Sequence, residues 1–81
     1  MYCAYIIKSL KDNKFYTGST ADLDRRFEEH NKGNNSTPST LRRGPFKLVH
    51  VEIADTIQGA RRIEKYFKSG TGREVRDELF K

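Results

Sequence analysis

The sequence has no tryptophan, one methionine, two prolines and a single cysteine, Cys3. One thiol cannot form an internal disulfide, so packing alone must hold the fold, and a reduced intracellular setting fits better than secretion. Cys3 itself reads as a small core hydrophobe. No apolar run approaches the ~20 residues that cross a bilayer. The opening residues Met1-Tyr2-Cys3-Ala4-Tyr5-Ile6-Ile7-Lys8 lack the long apolar stretch of a secretion signal. The expected location is therefore the cytoplasm. Hydrophobic residues make up 35% of the 81, enough for one domain over 1–81 with a modest core. Acidic side chains are also in the minority, and the formal net charge is +5. That surplus favours a polyanionic partner, nucleic acid being the commonest, although an acidic protein or a membrane surface would suit the same charge.

The patterns that are present give an element order of β-β-α-β-α-α. Residues 2–10 read as a strand, Asp12-Asn13 as a turn, and residues 14–18 as the returning strand. Ser19 or Thr20 is placed to cap a helix over 21–32. Residues 33–45 form a long polar loop, and Phe46 to Ile53 is the best strand of the chain. Asp55, with Gln58 three residues later, has the pattern of an N-cap for a helix reaching about Lys68. Gly70 and Gly72 then break that helix, and a short one over 73–80 turns Val75 and Leu79 inward. The expected fold class is α+β, a small three-stranded antiparallel sheet flanked by helices.

The periodicities bring certain side chains together. A turn at Asp12-Asn13, or a four-residue loop of Lys11 to Lys14, pairs Ser9 with Tyr16 and Leu10 with Phe15. Tyr5, Ile7, Ser9 and Tyr16 then share one face of the sheet. On the first helix Leu23, Phe27 and His30 form the inner stripe, with Arg26 at its edge and Arg25 in solvent. On the second, Ile57, Ala60, Ile63 and Phe67 form the buried stripe with Glu64 at its border, while Arg62 and Lys65 face away. A carboxylate at such a border needs a partner, and either a metal ion or an arginine would serve.

Cys3-Ala4-Tyr5 and Tyr16-Thr17-Gly18, their tyrosines eleven residues apart, resemble the two halves of the GIY-YIG nuclease signature, with Cys3 and Ala4 in place of Gly and Ile. The run from Gly18 through Leu23, Arg26 and His30 resembles the pattern that follows it in that family. Arg43-Gly44-Pro45-Phe46-Lys47-Leu48-Val49 and the Glu64 of Ala60-Arg61-Arg62-Ile63-Glu64 fit as well. The resemblance covers nearly the whole chain and is strongest to the short stand-alone bacterial type, related to the N-terminal catalytic domain of the excinuclease that incises DNA in excision repair. Where many members carry an asparagine, this chain has Arg73-Glu74-Val75-Arg76-Asp77.

The resemblance implies a metal-dependent endonuclease acting on nucleic acid, most directly DNA, in repair or processing. It gives Tyr5, Tyr16, Arg26, His30 and Glu64 as catalytic residues, with Tyr5 the base, Tyr16 a positioning group and Glu64 the metal ligand. Gly18 allows close backbone approach beside them. A single carboxylate suits one hydrated Mg²⁺ or Mn²⁺. Arg42, Arg43, Lys47, Arg62, Lys65 and Lys68 would track phosphates. Each residue also has an ordinary explanation: tyrosines fill strands, helix arginines are solvated or bridge a glutamate such as Glu64, and surface lysines keep a protein soluble. The competing function is a non-catalytic nucleic-acid-binding module with a degenerate site, and a third is an adaptor for an acidic protein. A protein partner or a homodimer is compatible with either.

Overall fold

The central strand is built from the least polar stretch of the chain. In the computed structural model, which describes residues 1–32 and 44–80, Tyr2–Ser9 forms β1 and Cys3 to Ile7 are all buried. An alternating pattern would leave every second residue in water. Here helices cover both faces, so each methylene contributes, and Ile6 and Ile7 each stabilise the fold by about 1.5–3 kcal/mol. β2 (Phe15–Thr20) and β3 (Phe46–Ala54) pair antiparallel on either side, giving the sheet order β2-β1-β3. The remaining elements are α1 (Leu23–Lys32), α2 (Ile57–Lys68) and α3 (Gly70–Phe80). The order β-β-α-β-α-α and the α+β class are as expected from the sequence. Among the described residues no helix is long and apolar enough to cross a membrane.

The hairpin register differs from expectation by two residues. Ile7 faces Tyr16, Tyr5 faces Gly18 and Lys8 faces Phe15. Ser9 causes the shift by closing the loop itself. Its N–H donates to Lys14 O at 2.9 Å, its carbonyl accepts from Asn13 N at 2.9 Å, and its hydroxyl accepts from the N–H groups of Lys11 and Asp12. Asn13 takes a left-handed φ of 62°, which asparagine tolerates. A slip of two keeps every side chain on its own face, so Tyr5, Ile7 and Tyr16 still share one surface; a slip of one would have separated them.

Four other boundaries move. β2 runs on through Ser19 and Thr20, so neither caps α1. Asp22 does so instead, its carboxylate accepting from Arg25 N at 3.1 Å. Thr56 rather than Asp55 caps α2, accepting from Gly59 N at 3.0 Å. α3 starts at Gly70 rather than at 73, and Leu79 is 66% exposed. Its inner face is carried by buried Gly72, Val75, Arg76 and Phe80. A bulge at Val49 separates Ile6–His50 from Ile7–Leu48 in the β1–β3 ladder. The core on the α1 side joins Tyr5, Ile7 and Phe46 with Tyr16, Leu23, Phe27 and Val51. On the α2 and α3 side His50 packs edge-on against Phe67 and tilted against Phe80.

Candidate active site

The site lies at the open edge formed by β2. Tyr5 is on the inner strand, yet its ring reaches that edge because the residue opposite it is Gly18. A Cβ on Gly18 would lie 2.5 Å from the Tyr5 hydroxyl and 2.7 Å from Cζ, so any larger residue would displace the phenol. α1 crosses the same face and delivers His30. Asn31, next in the chain, fixes this end of the helix by accepting from the Phe46 N–H of β3 at 2.6 Å. His30 is 1% exposed, and its Nε2 is 2.9 Å from the Tyr5 hydroxyl. The Tyr16 ring stands edge-on to the imidazole with centroids 5.1 Å apart.

Electrostatics assign the protons. Burial pushes the His30 pKa down from 6.5 to about 4, Arg26 adds to the effect, and Glu29 opposes it. The ring is therefore neutral at pH 7. With the ring proton on Nδ1, the Tyr5 O–H donates to Nε2. Burial holds the Tyr5 phenol well above its ordinary range. Tyr16 and Glu64 push the same way, and Arg26, within hydrogen-bonding reach of the phenol oxygen, pulls it back. Arg26 also bonds Glu29 Oε1 at 3.4 Å, three residues on.

The His30 shift has a measurable consequence. The unfolded chain takes up a proton near pH 6.5 and the folded ring only near 4. Stability is therefore complete above about pH 6.5 and falls as pH drops through that window, by about 3 kcal/mol at 1.36 kcal/mol per unit. An NMR titration of the ring should give a midpoint near 4, and urea unfolding should weaken from pH 7 to pH 4.5. A midpoint close to 6.5 would refute the burial argument.

Glu64 comes from the other face of the sheet. α2 packs there, and Ser19, two residues beyond Thr17 on that side of β2, donates its hydroxyl to Glu64 Oε1 at 2.6 Å. Lys68, one turn along α2, pairs with Oε2. Glu64 thus takes Ser19 and Lys68, not the arginine bridge that the sequence left open. The carboxylate is 20% exposed and opens into a depression of about 370 Å³ lined by Arg61, Glu64, Lys65 and Lys68. Among the described residues no group of three or more His, Cys, Asp or Glu side chains is arranged to hold a metal. A single partly exposed carboxylate beside a hydroxyl fits a hydrated Mg²⁺ or Mn²⁺ that keeps most of its shell as water.

The structure gathers Tyr5, Tyr16, Arg26 and His30 on one face and brings Glu64 within electrostatic range of Tyr5. Lys65 borders the depression beside Glu64. Arg62 does not, since it lies about 160° from Glu64 around the helix at 100° per residue. Arg61 takes that place. Lys47 sits opposite Lys8 at the far end of the sheet. Arg42 and Arg43 lie outside the described residues. Ser19 and Arg61 were missed from the sequence. Arg61 and Lys68 were findable there at i−3 and i+4 from Glu64; Ser19 was hidden by its reading as a cap.

A protein-family model described as the GIY-YIG catalytic domain matches residues 1–77. The chain belongs to that family, and with it to a superfamily of nucleases acting on nucleic acid. Among short relatives, a UPF0213 protein of Haloquadratum walsbyi is 41% identical over 75 residues, covering 93% of this chain and 81% of the relative. One from Syntrophus aciditrophicus is 38% identical, covering 79% and 72%. The solution NMR structure of a UPF0213 protein from Bacillus halodurans matches with a TM-score of 0.54 at 34% identity, over 99% of this chain and 86% of that one.

Proposed function

We propose that the protein is a divalent-metal-dependent endonuclease that hydrolyses phosphodiester bonds in DNA, in repair or processing. The observation that carries this reading is the Tyr5–His30 hydrogen bond, held over Gly18 at a sheet edge where Arg26 and Glu64 both act on the same phenol.

Tyr5 alone is a poor base, because burial keeps its proton on. The neutral His30 alters that balance. As the Tyr5 oxygen takes a proton from the attacking water, its own proton passes to Nε2, so no free phenolate forms. The His30 ring, held below its ordinary pKa, is a weak final acceptor, and the gathering imidazolium charge must be offset by Glu29 and the incoming phosphate. Arg26 presents a planar fork that bridges phosphoryl oxygens as negative charge builds. Tyr16 packs against the imidazole and fixes its plane. Glu64, oriented by Ser19, would hold the metal, which when bound supplies Lewis-acid stabilisation of the phosphoryl and leaving oxygens. Arg61, Lys65 and Lys68 give the rim a positive potential that draws in the substrate backbone.

The test is cleavage of a panel of labelled branched, duplex and single-stranded DNAs with Mg²⁺ or Mn²⁺, with and without chelator. Cleavage that chelator abolishes is expected. Salt-sensitive binding without cleavage would replace this reading with the binding module, and neither cleavage nor binding would point to an acidic protein partner.

A further inference from the structure

The far end of β2 carries a second concentration of positive charge. Phe15 opens that strand, and the register sets Phe15 beside Lys8 and Lys8 beside Lys47, a row across all three strands. Arg76 of α3 lies over the Phe15 ring with Cζ 4.7 Å from the centroid, and Lys8 Nζ lies 5.5 Å from it. Asp77 steadies the Arg76 fork, one of its oxygens accepting from Nε at 3.1 Å and Nη2 at 2.9 Å. The Arg76 side chain is only 17% exposed. Lys14 and Arg73, both in solvent, complete a depression of about 430 Å³ together with Asn13, Phe15, Arg76 and Asp77.

The neighbouring acids offset this charge only in part, two carboxylates standing against Lys8, Lys14, Lys47, Arg73 and Arg76. Asp12 turns a carboxylate oxygen to the Lys14 N–H, and Asp77 is taken up by Arg76. Glu74 and Glu78 line an adjoining depression with Val75 and Asp77. A cation held over an aromatic ring is already ordered, so it gives up less side-chain freedom on binding an anion than a free one.

We propose that this hairpin–α3 surface is a second docking site for backbone phosphates of the same nucleic acid whose cleaved bond lies at Glu64. The proposal rests on the nucleic-acid reading above. Phe15, Thr17 and Ser19 share a face, so the surface lies roughly 13 Å from Ser19 at about 3.3 Å per residue. Duplex DNA rises ~3.4 Å per base step, so the two sites span about four steps. Contacts at that separation fix where the substrate sits along the protein without reading its sequence.

The experiment is fluorescence anisotropy of a labelled duplex long enough to cover both sites, in chelator so that nothing is cut, over a series of salt concentrations. The variant is Lys14→Gln with Arg73→Gln. Both side chains are exposed and neither touches the catalytic edge, so folding is preserved. The log–log salt slope should fall in magnitude by about 1.8, at about 0.9 per lost phosphate contact. Arg76→Gln, checked for native circular dichroism, should lower it further. An unchanged slope in the double variant, with the wild type binding normally, would overturn the docking site and leave the nucleic-acid reading standing. A wild type with no salt-dependent binding would overturn both.

Discussion

Replacing Glu64 with alanine is expected to lower cleavage by at least about 10³-fold while leaving nucleic-acid binding intact or slightly tighter. The two effects have separate causes. A metal ion that stabilises transition-state charge contributes several kcal/mol, and about 4 kcal/mol corresponds to roughly three decades in rate. Without the carboxylate that Ser19 orients, no group of three or more His, Cys, Asp or Glu side chains among the described residues stands ready to hold the ion instead. Binding depends on cations. Among the described residues, Glu64 is the one acid lining a depression whose other walls are Arg61, Lys65 and Lys68. Its removal frees Lys68 from its ion pair and makes the rim more positive. Alanine is also at least as good a helix former as glutamate, so α2 keeps its shape. Single-turnover cleavage with Mn²⁺ and anisotropy in chelator measure the two effects independently. Activity within tenfold of wild type would remove Glu64 from the metal site. Joint loss of activity, binding and thermal stability would make it a structural residue.

Much of this site was legible because two periodicities determine it. The stripe of Leu23, Phe27 and His30 sets which way α1 faces, and Arg26 follows as its edge residue. Two-residue alternation puts Tyr5 and Tyr16 on one face, and they stay there because the observed register differs from the expected one by an even number. What the sequence concealed depends on three-dimensional closure. Ser19 and Thr20 are ordinary cap residues, and nothing local shows that β2 continues through them. The continuation occurs because Ala4 and Cys3 of the buried central strand stand opposite and pair with them. The pattern Asp55 to Gln58 was likewise overridden by Thr56, whose extended backbone, with ψ 157°, aims its hydroxyl at Gly59 N. The sequence places Leu79 on the inner face of the last helix together with Val75. Leu79 stands on the same stripe as Val75 and Arg76, yet in the last turn of α3 it is 66% exposed.

The two glycines between α2 and α3 look alike in the sequence, both reading as helix breakers, yet they should respond to alanine in opposite directions. Nothing lies within 4 Å of a Cβ built on Gly70. Alanine there sits in the first turn of α3 and should be neutral or stabilising by up to about 1 kcal/mol, through a less flexible unfolded chain. A Cβ on Gly72 would fall 1.8 Å from the Tyr66 carbonyl oxygen, 2.6 Å from its carbon and 2.8 Å from Phe67 Cα. These are backbone atoms at the end of α2, and no rotamer change moves them aside. The same carbonyl accepts from Ser69 N at 3.0 Å and Ser69 Oγ at 2.5 Å, and Ser69 Oγ accepts from Gly72 N at 3.2 Å. Gly72→Ala must therefore open the corner that joins the helices. Opening it pulls Phe80 from His50 and Arg76 from Phe15. Overpacking against side chains costs about 1–3 kcal/mol; against backbone that cannot shift, about 4 kcal/mol or more is expected. A chain of this length has on the order of 4–12 kcal/mol of total stability, so the variant should unfold at much lower urea than wild type or fail to fold. Urea midpoints of the two alanine variants, measured side by side, test the geometry directly. If Gly72→Ala unfolds at the same urea concentration as Gly70→Ala, the α2–α3 corner is not packed as described, and Arg76 loses its fixed place over Phe15.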